Sequence, residues 1–210
     1  MEILSEIAAE LMRGEDEKVR ALTEAALAQS IEPPTILNEG LIAGMQVVGK
    51  RFGDHEIFLP DVLLAAKAMN AGLAVLEPHL SQGDVASRGK VVIGTVQGDL
   101  HDIGKNLVGI MLAGAGFEVI DLGKDVSPQK FVDTARESAA DVIGMSALLT
   151  TTMPVMKQVV SLLKEHGLDS SVRTVVGGAP VTEEFAREIG ADAYGFDAAN
   201  AVERVRALVE

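Results

Sequence analysis

Over roughly the first eighty residues the apolar positions recur at the period of an α-helix and never alternate as in a half-buried strand. Ile3, Leu4, Ile7, Ala8 and Leu11 form one stripe, and Gly14 stands where that helix would stop. Glu15, Asp16 and Glu17 then open a second helix, acids at the positive end of its dipole, with Val19, Leu22, Ala26 and Leu27 as its inner face. Pro33 and Pro34 break the pattern. A third helix is predicted from about Thr35 to Arg51 on Leu37, Leu41, Met45, Val48 and Phe52, with Gly53 as its stop. The fourth begins near Pro60, and Leu59, Val62, Ala66, Met69, Leu73, Leu76 and Leu80 step along it alternately by threes and fours. Such a seam belongs to a packed bundle, so residues 1–85 read as a four-helix bundle.

The grammar changes after a polar, Gly-containing stretch, Ser81 to Gly89. Short β-branched runs at Lys90 to Val96, Glu118 to Leu122, Val142 to Met145, Arg173 to Val176 and Ala193 to Tyr194 read as strands. Helices are predicted between and after them, near Ile103 to Ala115, Pro128 to Ala139, Pro154 to His166, Thr182 to Ile189 and Ala198 to Val209. Alternation of this kind means right-handed βαβ crossovers and a parallel sheet covered on both faces. Residues 90–210 therefore fit a flavodoxin-like, Rossmann-like domain with five parallel strands, in which ligands bind at the carboxyl ends of the strands.

Composition narrows the chemistry. The chain of 210 residues has no Cys, which excludes a disulfide framework, a thiolate zinc site and a cysteine nucleophile. Any metal must be held by His or carboxylate, or arrive inside a cofactor. With 18 basic against 31 acidic residues the net charge is −13, a field that repels nucleic-acid phosphate and anionic lipid, so neither nucleic acid nor membrane is expected as a partner. No apolar run approaches a membrane span of about eighteen residues, and the acidic start MEILSEIAAE is unlike a secretory signal, which predicts a cytoplasmic chain. Aromatic residues make up 3%, leaving the cores to Leu, Ile, Val, Met and Ala.

The strand-end loops carry the candidate chemistry. After the first strand comes Asp99-Leu100-His101-Asp102-Ile103-Gly104. A histidine two residues after an aspartate can donate one ring N–H to that carboxylate and keep its other nitrogen as a ligand or base. The plainer alternative is that Asp99 or Asp102 caps the next helix and His101 is a loop residue. The third strand ends in Ser146-Ala147-Leu148-Leu149-Thr150-Thr151-Thr152, whose hydroxyls either bind a polar group or cap the helix that starts at Pro154. The fourth ends in Gly177-Gly178, which permits close approach to the backbone or a tight turn. Neither a G-x-G-x-x-G nor a Walker A motif is present, so a dinucleotide or nucleoside triphosphate is unsupported.

D-x-H-x-x-G after the first strand, S-x-L after the third and G-G after the fourth resemble the B12-binding domain of base-off, His-on corrinoid proteins. The bundle is similar as well: Met45 through Met69, with Phe52-Gly53 and Phe58-Leu59-Pro60, resembles the cap module over the corrin in methionine synthase and in the small corrinoid proteins of methyltransferase systems. The resemblance covers essentially the whole chain. It implies that His101 is the lower axial cobalt ligand of a cobalamin or related corrinoid, and that Asp99 holds its other imidazole nitrogen. Protonation of that pair would weaken the His–Co bond and favour four-coordinate Co(I). Gly104 would let the nucleotide tail pass, Ser146, Leu148 and Thr150 would line its channel, and Gly177 and Gly178 would leave room for its base and ribose. The methionine synthase pattern completes the His–Asp relay with a serine, and Thr152 holds that position here with its hydroxyl retained. Phe52, Leu59 and Val62 match the apolar lid positions, with core packing of the third and fourth helices as the alternative. His55, His79 and His166 read as structural.

The implied activity is that of a methyl carrier. It would accept a methyl group on Co(I) from a donor methyltransferase and deliver it to an acceptor methyltransferase, with a reductive activase as a further candidate partner. No residue set on the chain would activate a methyl donor by itself, so no turnover by the chain alone is expected. A response-regulator receiver is disfavoured because Ser146 stands where its phosphoacceptor Asp would be. The rival from another class is a B12-dependent sensor or regulatory module, which would carry a DNA-binding domain and a basic surface.

Overall fold

The computed structural model describes residues 2–80 and 88–209; most of the expected polar junction, residues 81–87, lies outside them. The chain divides into two compact units, Met1–Ala86 with Gly114–Gly116, and Ser87–Ala113 with Phe117–Glu210.

The first unit is helical. Helix α1 (Glu2–Met12) ends at Gly14, whose φ of 75° is open to glycine without strain. Helix α2 (Asp16–Ala28) begins with the acids expected of it. Helix α3 is longer than predicted and irregular. It starts with Pro33–Thr35, continues as a π-helical stretch Ile36–Ile42, and finishes as Ala43–Gly53. The two prolines do not so much break the preceding helix as begin this one: in a first turn the missing N–H has no intrahelical partner to lose. Gly40 and Gly44 bring α3 close to α1, since a Cβ on Gly44 would lie 3.0 Å from the Ala8 backbone. Helix α4 (Leu59–Leu76) runs into a short turn, Glu77–His79, and the Asp61 carboxylate accepts the Phe58 amide at its start (2.9 Å). Leu4, Ile7, Leu11, Val19, Leu41, Val48, Val62 and Leu76 are all buried, as the 3.6-residue pattern requires.

One expectation is corrected here. Leu59–His79, at 21 residues and a mean hydropathy of 1.4, is by length and composition apolar enough to cross a membrane. It nevertheless behaves as a bundle helix, for Lys67 in its middle pairs with Asp16 of α2 at 2.7 Å.

The second unit is a doubly wound α/β domain. Strands β1 (Lys90–Thr95), β2 (Glu118–Asp121), β3 (Val142–Ser146), β4 (Arg173–Gly177) and β5 (Ala193–Gly195) form one parallel sheet in the order β2-β1-β3-β4-β5. Helices α5 (Ile103–Gly114), α6 (Pro128–Ser138), α7 (Pro154–Glu165), α8 (Glu183–Ile189) and α9 (Ala198–Val209) alternate with them. Val92, Ile143 and Val176 of the sheet pack with Phe131 and Val132 of α6 and with Met156, Val159 and Leu163 of α7 in one buried core. From β1 the chain crosses to β2 on one side, while β3 pairs with β1 on the other. Strand order reverses at that point, so the crevice for a ligand lies beyond the carboxyl ends of β1 and β3.

Candidate functional site

The loop after β1 is held in place before any side chain acts. The Val96 amide donates to the Ser146 carbonyl (3.0 Å), and the Thr95 hydroxyl donates to the His101 carbonyl (2.9 Å). Gly98, at φ 84°, turns the chain so that the Asp99 side chain points inward, and its side chain is fully buried.

A buried carboxylate must be satisfied, and this one accepts from five donors. Oδ1 takes the His101 ring Nδ1 (2.7 Å) and the His101 amide (3.1 Å). Oδ2 takes the Leu148 amide (2.7 Å), the Leu149 amide (3.1 Å) and the Thr152 hydroxyl (3.0 Å). Asp99 thus ties the β1 loop to the β3 loop across the switch point. Burial alone would raise its pKa, but the Leu148 amide, the His101 ring and amide and the Thr152 hydroxyl outweigh that and hold it well below the usual carboxylate range. Because the carboxylate is ionised and can only accept, the proton in the 2.7 Å contact sits on His101 Nδ1, so that in the neutral ring Nε2 carries the lone pair. The His101 side chain is 54% exposed, so that nitrogen is open to a ligand.

The Asp99 carboxylate serves the two loops and does not cap α5, while the backbone carbonyl of Asp102 accepts the Asn106 amide (2.8 Å) at the start of that helix. Helix α7 starts without a side-chain cap, so the Thr cluster is free of that duty. The Thr152 hydroxyl lies 3.0 Å from Asp99 and 2.8 Å from the Leu149 carbonyl, one proton between two acceptors.

The other predicted residues fall as follows. Gly104 lies in the first turn of α5, where an added Cβ would meet nothing within 4 Å. Ser146 is half-buried at the end of β3, and Leu148 and Thr150 are exposed beyond it. Gly177 and Gly178 are required by the chain's own backbone: a Cβ on Gly177 would lie 2.9 Å from the Gly195 carbonyl oxygen, and one on Gly178 would fall 1.9 Å from that of Ala147. In the helical unit Phe52 and Leu59 are half-buried, whereas Val62 has no exposed surface. His55 lies in the turn after α3, His79 in the short turn after α4 and His166 at the C-terminal end of α7.

Several residues escaped the sequence reading. Leu100, Ile103 and Leu149 expose 64%, 76% and 40% of their surface on the segments that carry and flank His101, beside the predicted Leu148 at 43%. Their signal was large apolar residues in a strand-end loop where polar ones are usual. Lys105, one turn into α5, is buried and bound to Asp121 at the end of β2 (2.6 Å). Asp125 reaches the β1 loop from the β2 side, binding the Gly98 amide (2.7 Å).

This donor set fits a metal that brings its own equatorial ligands. Among the described residues no group of three His, Asp or Glu could hold a bare ion. One imidazole nitrogen, oriented by a buried carboxylate and rimmed by exposed apolar side chains, can supply a single axial bond to a flat macrocycle.

Two family models, each described as a B12 binding domain, match residues 89–206 and 3–77. Fold, site and these matches together define a corrinoid-binding protein. A dimethylamine corrinoid protein of Methanosarcina barkeri is 46% identical over 209 residues, covering 99% of this chain and 98% of the relative. A trimethylamine corrinoid protein of Methanosarcina acetivorans is 47% identical over 197 residues, covering 92% and 91%. Among solved structures, the methanol:cobalamin methyltransferase complex of Methanosarcina barkeri aligns over 99% of this chain and 80% of that one with a TM-score of 0.91 at 31% identity. A cobalamin-binding protein of Desulfitobacterium hafniense aligns over 99% and 98% with a TM-score of 0.80 at 32% identity. The chain belongs to the corrinoid proteins of the methanol and methylamine methyltransferase systems, a family of methyl carriers rather than sensors.

Proposed function

We propose that the chain carries its corrinoid base-off and His-on, with His101 Nε2 as the lower axial ligand of the cobalt, and works between a donor and an acceptor methyltransferase. When bound, the corrinoid supplies a cobalt centre that takes up and gives off a methyl group; the protein supplies ligation, burial and access. The observation that carries this reading is the 2.7 Å bond from His101 Nδ1 to the buried, ionised Asp99.

Each residue then has a task. Asp99 fixes the ring plane and the tautomer and makes the free nitrogen a better donor. The Thr152 hydroxyl, shared between Asp99 and the Leu149 carbonyl, gives a proton a route to or from the pair. Leu100, Ile103, Leu148 and Leu149, all exposed near His101, would offer apolar surface to a bound corrinoid and help exclude water from the imidazole. Gly104, whose Cβ position is open, would let the nucleotide tail pass at the start of α5, Ser146, Leu148 and Thr150 would line its channel, and Gly177 and Gly178 would leave room for its base and ribose. Phe52, Leu59 and Val62 would be the apolar lid residues, of which Val62 is fully buried in the bundle. A reductive activase completes the set of partners, and all of them operate in the cytoplasm.

The test is His101→Ala in the full-length protein reconstituted with hydroxocobalamin. The variant should keep its fold, because the ring is half exposed, and should lose the absorption spectrum of a histidine-ligated cobalt. An unchanged spectrum would overturn the ligand assignment.

A further inference from the structure

Asp125 lies in the loop between β2 and α6 and is one of the few non-glycine residues with positive φ, at 57°. Asp tolerates that region better than most side chains, but a non-glycine residue held there beside a site calls for a reason. The reason on this fold is a double contact with the peptide that carries Asp99. The Asp125 carboxylate accepts the Gly98 amide at 2.7 Å, and the Asp125 amide donates to the Asp99 carbonyl at 3.1 Å. One residue therefore grips the entering and the leaving end of the Gly98–Asp99 dipeptide. The Asp99 amide is held independently by the Val96 carbonyl (3.1 Å). The loop bearing Asp125 is itself anchored to β1, with the Thr95 amide on the Gly123 carbonyl (2.9 Å) and the Val126 amide on the Thr95 carbonyl (3.0 Å).

We propose that Asp125 is a positioning residue for the His101 site: by clamping the Gly98–Asp99 backbone from the β2 side, it sets the Asp99 carboxylate at bonding distance from His101 Nδ1. The physical case rests on leverage. Asp99 has only two side-chain torsions, so its oxygens follow its backbone, and a loop free to rock by a fraction of an ångström would lengthen the bond to the imidazole. Both Gly98 and Asp125 are exposed, so water can replace the lost acceptor and the fold does not depend on the contact. What water cannot do is hold the dipeptide in one place.

The inference deepens the proposed axial role of His101 and rests on it for its purpose, although its geometry does not involve the corrinoid. The first measurement therefore uses the full-length protein without cofactor. The His101 Nδ1–H resonance, followed by nitrogen-edited NMR, should be protected from solvent exchange in the wild type. In Asp125→Gly, which adopts the same φ freely and keeps the amide donor, exchange should quicken by about tenfold or more, the loss expected of one charge-assisted hydrogen bond. Asp125→Asn keeps an acceptor oxygen and should stay close to wild type. Wild-type protection in Asp125→Gly, or equal loss in both variants, would overturn the clamp. A second readout needs no variant: the Gly98 amide should be protected alongside the His101 proton, and rapid exchange at Gly98 with a protected imidazole would also overturn it. Reconstitution with hydroxocobalamin separates the two readings. Asp125→Gly should lower the His-ligated fraction, and a wild type lacking that spectrum sinks the axial role while leaving the clamp to be judged by exchange.

Discussion

Replacing Asp99 by Asn keeps the shape of the side chain and changes one oxygen into an NH2 donor, at a position with no exposed surface. The five donors divide as two on Oδ1 and three on Oδ2. The amide will place its oxygen toward the Leu148 and Leu149 amides, because those are backbone groups that cannot turn away. Its NH2 then faces the His101 side. The His101 amide is left without its acceptor, at a cost of about 1–3 kcal/mol for a buried donor. The loss of charge assistance at the remaining bonds adds roughly another 1 kcal/mol. A total of about 2–4 kcal/mol follows, read as a lowered midpoint in urea unfolding with an unchanged slope. The ring responds as well: facing a donor, His101 must accept at Nδ1, so its proton moves to Nε2 and closes the ligand position. The pH dependence provides a second check. A carboxylate whose folded pKa is depressed stabilises the fold above its unfolded pKa, and that stability is lost as pH falls through the folded value. Wild type should therefore lose stability on acidification below about pH 4 through Asp99, a slope the Asn variant lacks. Equal urea midpoints at neutral pH, or parallel acid profiles, would refute the account of Asp99 as an ionised hub.

Gly104 and Gly178 should part ways on alanine substitution. Gly104→Ala meets open space in a helix and should gain up to about 1 kcal/mol, whereas Gly178→Ala, at φ 126° with its Cβ on the Ala147 oxygen, should lose roughly 3 kcal/mol or fail to fold, as thermal melts would show. Thr152→Ser should keep the wild-type urea midpoint to within about 0.5 kcal/mol and Thr152→Val should lose about 1–2 kcal/mol, since only the latter leaves Asp99 short of a donor. Lys105→Met replaces a buried ammonium by an apolar chain of similar length while Asp121, 43% exposed, returns to water; stability should change by no more than about 1 kcal/mol in either direction.

The elements were legible because their causes are local. Each strand of the α/β unit lies within one or two residues of its β-branched run, and the starts of α6, α7 and α8 are marked by Pro128, Pro154 and the acid pair Glu183 and Glu184. Irregularities were not legible. The π-helical stretch Ile36–Ile42 in α3 and the close approach of Gly40 and Gly44 to α1 leave no mark on the periodicity along one helix. In α4, Asp61 and Lys67 divide the apolar sequence into runs shorter than a span, although the mean hydropathy over Leu59–His79 is high.

For the site, the residue types and spacing of Asp99, His101 and Gly104 were sufficient to propose a carboxylate-oriented imidazole, because two residues of loop suffice to bring those groups together. The absence of cysteine left His, carboxylate or an incoming cofactor as the ways in which this chain could hold a metal. Tertiary structure alone decided which competing role each hydroxyl and glycine plays. Thr152 reaches Asp99 across fifty-three positions, and Gly178 is demanded by the Ala147 backbone. Asp125 enters from a third loop for the same reason: a parallel sheet gathers its strand ends at one edge, so groups far apart in the chain become neighbours there, and their hydrogen bonds, not their order in the sequence, set what each one does.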